Sequence, residues 1–253
     1  MHRFFEHLAQ DGQPPAAENL SEFFLTGPMD VEEPTMHAAL HELRRPHPTA
    51  SLGEHVVTLD HELGSGGSKN VYAIMIEKRP YALAVPNTKD VASRAVQKWN
   101  QALVEPRHTR YLRQCGFYTN TLSEVVPLSL AGTSLPAILM RRYQDLPFEV
   151  RDRKNRTSST GETRLLASHS DIDAIQSIIL RFVPEIRVLI ENGISLHKDS
   201  INLCIDHGQP HLFLNDLGES EIKPFSEAEK TQAAQFYAQA TLSAFIEGIT
   251  TAE

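Results

Sequence analysis

The hydrophobic pattern divides the chain into an aperiodic start, a strand-rich stretch and a helix-rich stretch. Residues 1–50 mix Pro, His and acidic residues with short apolar pairs at Phe4-Phe5 and Phe23-Phe24. That texture predicts a partly ordered extension, loosely docked, with one or two short helices. From His55 the run VVTLDHELGSGGSKNVYAIMIEKRPYALAVP holds three stretches rich in β-branched and aromatic residues. A glycine cluster and a charged turn at Glu77–Pro80 separate them, which predicts a meander of three antiparallel strands. Asp90 to Val104 then places Val91, Ala95, Val96, Trp99 and Leu103 at helical spacing. Pro106 ends or kinks that helix, because the residue before a proline is driven out of the α region. A second short helix through Tyr111 and Leu112 is expected to stop at Gly116, and two more strands are expected near Thr121–Leu130 and Pro136–Tyr143.

The stretch Arg151–Arg164 is polar throughout and reads as a loop. Its Thr157, Ser158, Ser159 and Thr160 are either autophosphorylation sites or solvated loop residues. Asp171 to Asn192 is the clearest helix: Ile175, Ile178, Ile179, Phe182, Ile186 and Leu189 line one broad face, Pro184 bends it, and Gly193 sits where it would stop. Ser195–Glu219 alternates short apolar runs with polar turns, as a loop and a β-hairpin would. Ser226 followed by Glu229 is a capping-box start for a last helix running to about Gly248. The order is five strands with one helix inserted after the third, then a mostly helical half.

Composition narrows the classes. The chain has 253 residues, 41% apolar and 22% charged, enough for one large domain or two small lobes. A formal net charge of -8 disfavours nucleic acid as a partner, since phosphate backbones call for clustered Lys and Arg. Cys115 and Cys204 make no disulfide framework, and a reducing compartment is the default. No apolar run approaches the ~18 residues that a membrane span needs, and MHRFFEHLAQ lacks the apolar core of a secretory signal.

Three short motifs carry candidate chemistry. The first, Leu63-Gly64-Ser65-Gly66-Gly67-Ser68-Lys69-Asn70-Val71, lies between two expected strands, where glycines let backbone N–H groups approach phosphate oxygens. The second, Leu196-His197-Lys198-Asp199-Ser200-Ile201-Asn202, follows the long helix. It supplies a carboxylate able to orient an attacking hydroxyl and an amide oxygen able to help hold a metal. The third, Asn215-Asp216-Leu217-Gly218, supplies a hard oxygen ligand of the kind Mg²⁺ takes. Each is common alone; Asp216 by itself is a turn residue, Asn202 a turn cap, and a glycine-rich turn a plain hairpin.

Their joint order resembles the protein-kinase-like superfamily over roughly residues 55–220. The resemblance implies an α+β, bilobal fold. Its N-lobe (51–145) would hold a five-stranded antiparallel sheet with one main helix, and its C-lobe (146–253) would be truncated and mostly helical. It implies ATP bound under Gly64, Ser65, Gly66 and Gly67, with Val71 and Ala84 also among the cofactor-binding positions. Met140 would line the adenine pocket, and the Arg141–Tyr143 backbone would bond the adenine edge. Asp199 would orient the acceptor hydroxyl, His197 would brace the loop through backbone contacts, and Asp216 with Asn202 would hold Mg²⁺. Glu105, the only glutamate between the third strand and Gly116, becomes the helix glutamate that pairs the ATP lysine.

The pattern is broken in three places. Pro80-Tyr81-Ala82-Leu83-Ala84-Val85-Pro86 resembles the third-strand V-A-[IL]-K-V-P, which puts Ala84 at the lysine position and would leave Glu105 without its partner. Three readings fit: an engineered lysine-to-alanine inactivation, relocation of the cation to Lys69 as in the with-no-lysine kinases, or a pseudokinase that binds partners. Asn202 follows Asp199 by three residues where the family has five. Few residues follow Gly218, with no A-P-E, which resembles the minimal serine/threonine kinases that pathogenic bacteria inject into host cells. That resemblance implies a host-protein substrate and delivery into the host cell cytoplasm. A small-molecule kinase of the aminoglycoside or choline type and a pseudokinase binding module stand as alternatives.

Overall fold

The computed structural model describes residues 30–151 and 172–249. The extension up to residue 29 and the loop carrying Thr157–Thr160 lie outside them. The chain is α+β and folds into two compact units. One runs to Pro106 and adds Thr121–Arg142; the other comprises Arg107–Asn120 and Tyr143 onward.

The first unit is built on seven strands in the order β2-β1-β7-β8-β5-β4-β3. They are β1 (Thr49–Leu52), β2 (His55–Thr58), β3 (His61–Ser65), β4 (Lys69–Ile76), β5 (Arg79–Pro86), β7 (Ser123–Leu130) and β8 (Thr133–Met140). Five were expected. The apolar run from His55 is cut in two by the polar break before His61, and Thr49–Leu52 adds a hairpin with His55–Thr58 through Gly53, whose φ is +62°. Two helices pack on the sheet where one was expected. Helix α1 (Glu33–Leu43) buries Met36, Ala39, Leu40 and Leu43, a 3–4 spacing, in the same core as the sheet. Residues 33–43, read as loosely docked, are thus part of that core. Helix α2 (Ala92–Ala102) buries Ala95, Trp99 and Ala102 against it.

A pair of prolines shapes the sheet. Pro127 on β7 faces Pro136 on β8, and the β5–β8 ladder ends at Ala84 and Ile138, just short of Pro136 and Pro86. Proline cannot donate to a ladder. The indole N–H of Trp99 reaches in and donates to the Pro136 carbonyl at 3.0 Å, which ties α2 to the sheet at this point.

Helix α3 (Glu105–Gln114) follows a break after α2, and Pro106 sits in its first turn, where a missing N–H costs nothing. It stops at Gly116, φ +91°.

The second unit is less helical than expected. It has α4 (Ile172–Glu191, through Pro184) and α5 (Glu227–Ile249), but also a four-stranded sheet, β6-β12-β11-β9. These strands are β6 (Tyr118–Thr119), β9 (Glu149–Arg151), β11 (Ile201–Asp206) and β12 (Gln209–Leu214), and the expected hairpin is its centre. Its core joins Phe182, Ile186 and Leu189 of α4 to Leu203, Leu212 and Leu214 of the hairpin and Tyr237 of α5. Burial pushes the Tyr237 hydroxyl up to about 12, and it donates to the Ile194 carbonyl. Ser226 caps α5: its N–H and Oγ both reach Glu229 Oε2, at 2.8 and 2.7 Å, and these bonds hold the Glu229 carboxyl below its usual range. Cys115 and Cys204 are both free thiols, and among the described residues no helix is long and apolar enough to cross a membrane.

Gly193, at φ +60°, links α4 to the short pair β10 (Ile194–Ser195) and β13 (Glu221–Ile222). A Cβ there would lie 1.9 Å from the Lys223 carbonyl oxygen, whereas one on Gly208, φ +75°, meets nothing within 4 Å. Gly193→Ala is therefore expected to cost more than about 3 kcal/mol and Gly208→Ala only about 1 kcal/mol, read from urea-unfolding midpoints. Equal costs would contradict the close approach of Lys223 to Gly193.

Candidate functional site

The first unit brings together one half of the expected site by strand register. On β4, Asn70, Tyr72, Ile74 and Ile76 are buried, and Lys69, Val71, Ala73 and Met75 take the other face. Cross-strand partners share a face. Val71 pairs with Ala84, Ala84 with Ile138, and Ala82 with Met140, so Lys69, Val71, Ala84 and Met140 lie on one face of one sheet. Ala84 is fully buried. Lys69, two positions along β4 from Ala84's partner, is its diagonal neighbour.

Lys69 Nζ donates to Glu105 Oε2, so Glu105 does have a partner, contrary to expectation. The side chains are only 12% and 7% exposed. A carboxylate this deeply buried needs a cation beside it, because leaving either charge alone in low dielectric costs several kcal/mol.

The glycine loop joins β3 to β4. None of Gly64, Gly66 and Gly67 has a positive φ, and a Cβ on Gly64 or Gly67 would meet nothing within 4 Å. The β3–β4 register shifts between Glu62 and Gly64, beside the loop. Arg141 donates its N–H to Leu122 at 3.4 Å, and its guanidinium lies 5.8 Å from the centre of the Tyr81 ring.

The remaining expected residues belong to the second unit. Asp199 is exposed in the single turn Lys198–Ser200, and Asp216 is half-buried at the end of β12 in the left-handed region, φ 54° and ψ 53°. Aspartate tolerates that region better than most residues, at some cost in strain. The two segments are cross-bonded. Ser200 Oγ donates to the Asp216 carbonyl at 3.0 Å, and Asn215 N–H donates to the Ser200 carbonyl at 3.1 Å. Asn202, 1% exposed, donates through Nδ2 to Asn215 Oδ1 at 2.5 Å and to the Asp199 carbonyl at 3.3 Å. Asn215 Nδ2 in turn donates to the Tyr143 hydroxyl at 2.6 Å. Tyr143 lies in a helical turn rather than a strand end and packs edge-on to Phe213.

One expectation changes. His197 does not brace the loop through the backbone: its side chain is 66% exposed, with Nε2 3.5 Å from Glu219. The backbone contact is made by His108 on α3, whose Nδ1 donates to the Leu217 carbonyl at 3.0 Å. Neither that ring nor the bracing role of Asn215 follows from the sequence pattern, in which Asn215's place next to Asp216 is the one signal. Among the described residues no group of three His, Cys, Asp or Glu side chains forms a metal cage. Asp216 and Asn202 are oxygen donors of the type Mg²⁺ accepts when phosphates and water complete its shell.

No family model matches the chain and no curated protein matches it. Among solved structures, one described as WaaP in complex with acyl carrier protein is similar at 10% identity, over 70% of this chain and 68% of that one, with a TM-score of 0.38.

The buried pair has a distinctive energetic signature. Lys69→Met alone, which leaves Glu105 buried and unpaired, is expected to destabilise by about 3–5 kcal/mol. The double change Lys69→Met with Glu105→Leu is expected to recover most of that loss in the same denaturation assay. Additive losses would mean that the two side chains do not share a desolvated site.

Proposed function

We propose that this chain is an ATP- and Mg²⁺-dependent phosphotransferase of the protein-kinase-like type, in which Lys69 does the work usually given to a third-strand lysine. The observation that carries the reading is the Lys69–Glu105 ion pair beside a buried Ala84. It favours relocation of the cation over an engineered inactivation, which would strand Glu105, and over a pseudokinase, which needs no such pair.

The roles follow from the residues. Gly64, Ser65, Gly66 and Gly67 present backbone to the phosphates, and Lys69, held in place by Glu105, neutralises them. Val71, Ala84 and Met140 offer an apolar face for the base, and the Arg141–Tyr143 backbone its edge contacts. Asp199 accepts a hydrogen bond from the acceptor hydroxyl and aims it at the terminal phosphorus; the P–O bond to the leaving diphosphate breaks as the new one forms, and the hydroxyl proton is released. Asp216 and Asn202 would hold the metal, which adds positive charge against the phosphates when bound. His197, exposed, carries no step.

For the acceptor, the resemblance to minimal bacterial effector kinases supports a serine or threonine of a host protein, reached in the host cell cytoplasm. A small-molecule acceptor fits the same residues, and the test separates the two. The chain is incubated with Mg²⁺ and ATP labelled at its terminal phosphate, against host-cell lysate and against a panel of hydroxylated metabolites. Label is expected in protein, and Asp199→Ala and Asp216→Ala are each expected to lower it by at least about 100-fold. Label in metabolites alone would replace the protein acceptor with a small one, and parental rates in both variants would overturn the reading.

A further inference from the structure

The glycine loop is held by three consecutive carbonyls, and no sequence motif announces it. Asn87 Nδ2 donates to the Gly66 carbonyl at 2.6 Å, Lys98 Nζ donates to the Gly67 carbonyl at 2.6 Å, and Asn87 N–H donates to the Ser68 carbonyl at 3.1 Å. The anchors are themselves fixed. Asn87 is 8% exposed and its Oδ1 accepts the Lys89 N–H at 2.9 Å, while Lys98 also donates to Asp90 Oδ2 at 2.8 Å. Asn70 Oδ1 takes the Thr88 N–H at 2.9 Å, so the segment after β5 is bonded to the loop's own strand.

Peptide planarity turns this anchoring into a direction. In a trans peptide the C=O of one residue points opposite to the N–H of the next. Drawing the Gly66 carbonyl to Asn87 aims the Gly67 N–H the other way, and drawing the Gly67 carbonyl to Lys98 does the same for the Ser68 N–H. Those two N–H groups make no hydrogen bond among the described residues. A Cβ on Gly67 would meet nothing within 4 Å. N–H groups with no partner in the protein, on an unobstructed backbone, can donate to an anionic oxygen that approaches from outside.

We infer that Lys98 and Asn87 are positioning residues that pre-set the glycine loop, turning its carbonyls away from, and its Gly67 and Ser68 N–H groups toward, a phosphate of the nucleotide. This rests on the nucleotide reading above. Lys98 acts through the Gly67 carbonyl and Asp90, and Lys69 remains the cation assigned to the phosphates. Pre-setting matters because a loop that must order itself on binding loses affinity to that ordering.

Calorimetric titration of the full chain with adenosine and, separately, with Mg²⁺ and ATP tests it. Lys98→Met and Asn87→Ala are each expected to weaken ATP by about tenfold while leaving adenosine, which has no phosphate, within about twofold. Lys98→Arg, which keeps donors for both partners, is expected to bind ATP as the parent does. Asn87→Ala keeps the test open if Lys98→Met does not fold. Equal weakening of adenosine and ATP would overturn the inference, since it would mark the anchors as general supports of the fold, and so would unchanged ATP binding in both variants. A parent chain that binds neither ligand would instead bring down the nucleotide reading, before any substitution is made.

Discussion

A lysine and a glutamate that are both nearly out of water have to be paired, and that constraint organises the first unit. Glu105 lies at the start of α3, just after the break at Ala102, and is 5% exposed. Its charge is tolerable there only because Lys69 reaches it from β4. The pair fixes the start of α3 against the strand that leads out of the glycine loop. On the neighbouring strand Ala84 lies between Val71 and Ile138 with no exposed surface.

The second unit solves a different problem, holding two aspartates at the ends of irregular segments. Asp199 is exposed and Asp216 sits in a left-handed conformation that a free chain would seldom adopt. Neutral hydrogen bonds contribute to holding them: Ser200 to the Asp216 carbonyl, and the chain from Asn202 through Asn215 to Tyr143. Neutral amides orient the backbone without competing for the charge on the carboxylates. Asn202 serves this network through its nitrogen.

The sequence was most legible where a periodic pattern met a single face. The strands of the glycine-loop meander, the break before Pro106, the hairpin after Asp199 and the Ser226–Glu229 cap all follow from local chemistry. Helix α1 was legible too, in the spacing of Met36, Ala39, Leu40 and Leu43, but proline and histidine around it disguised the period. Pairings between distant segments were not legible. Nothing local says that Lys69 meets Glu105 rather than water, or that Trp99 completes a ladder interrupted by prolines. A motif names a residue type, whereas the backbone contact depends on which ring the fold brings near, here His108 rather than His197.

If Lys69 has taken over the third-strand lysine's task, its removal should be repaired by putting the lysine back where the family has it. The decisive measurement is the rate of phosphate transfer from ATP by the parent, by Lys69→Met, and by Lys69→Met combined with Ala84→Lys. The parent is expected to transfer phosphate, the single variant to lose at least about 100-fold, and the combined variant to regain a measurable part of that loss. Transfer by Lys69→Met at the parental rate, or transfer by no chain lacking Ala84→Lys, would contradict the relocation of the cation.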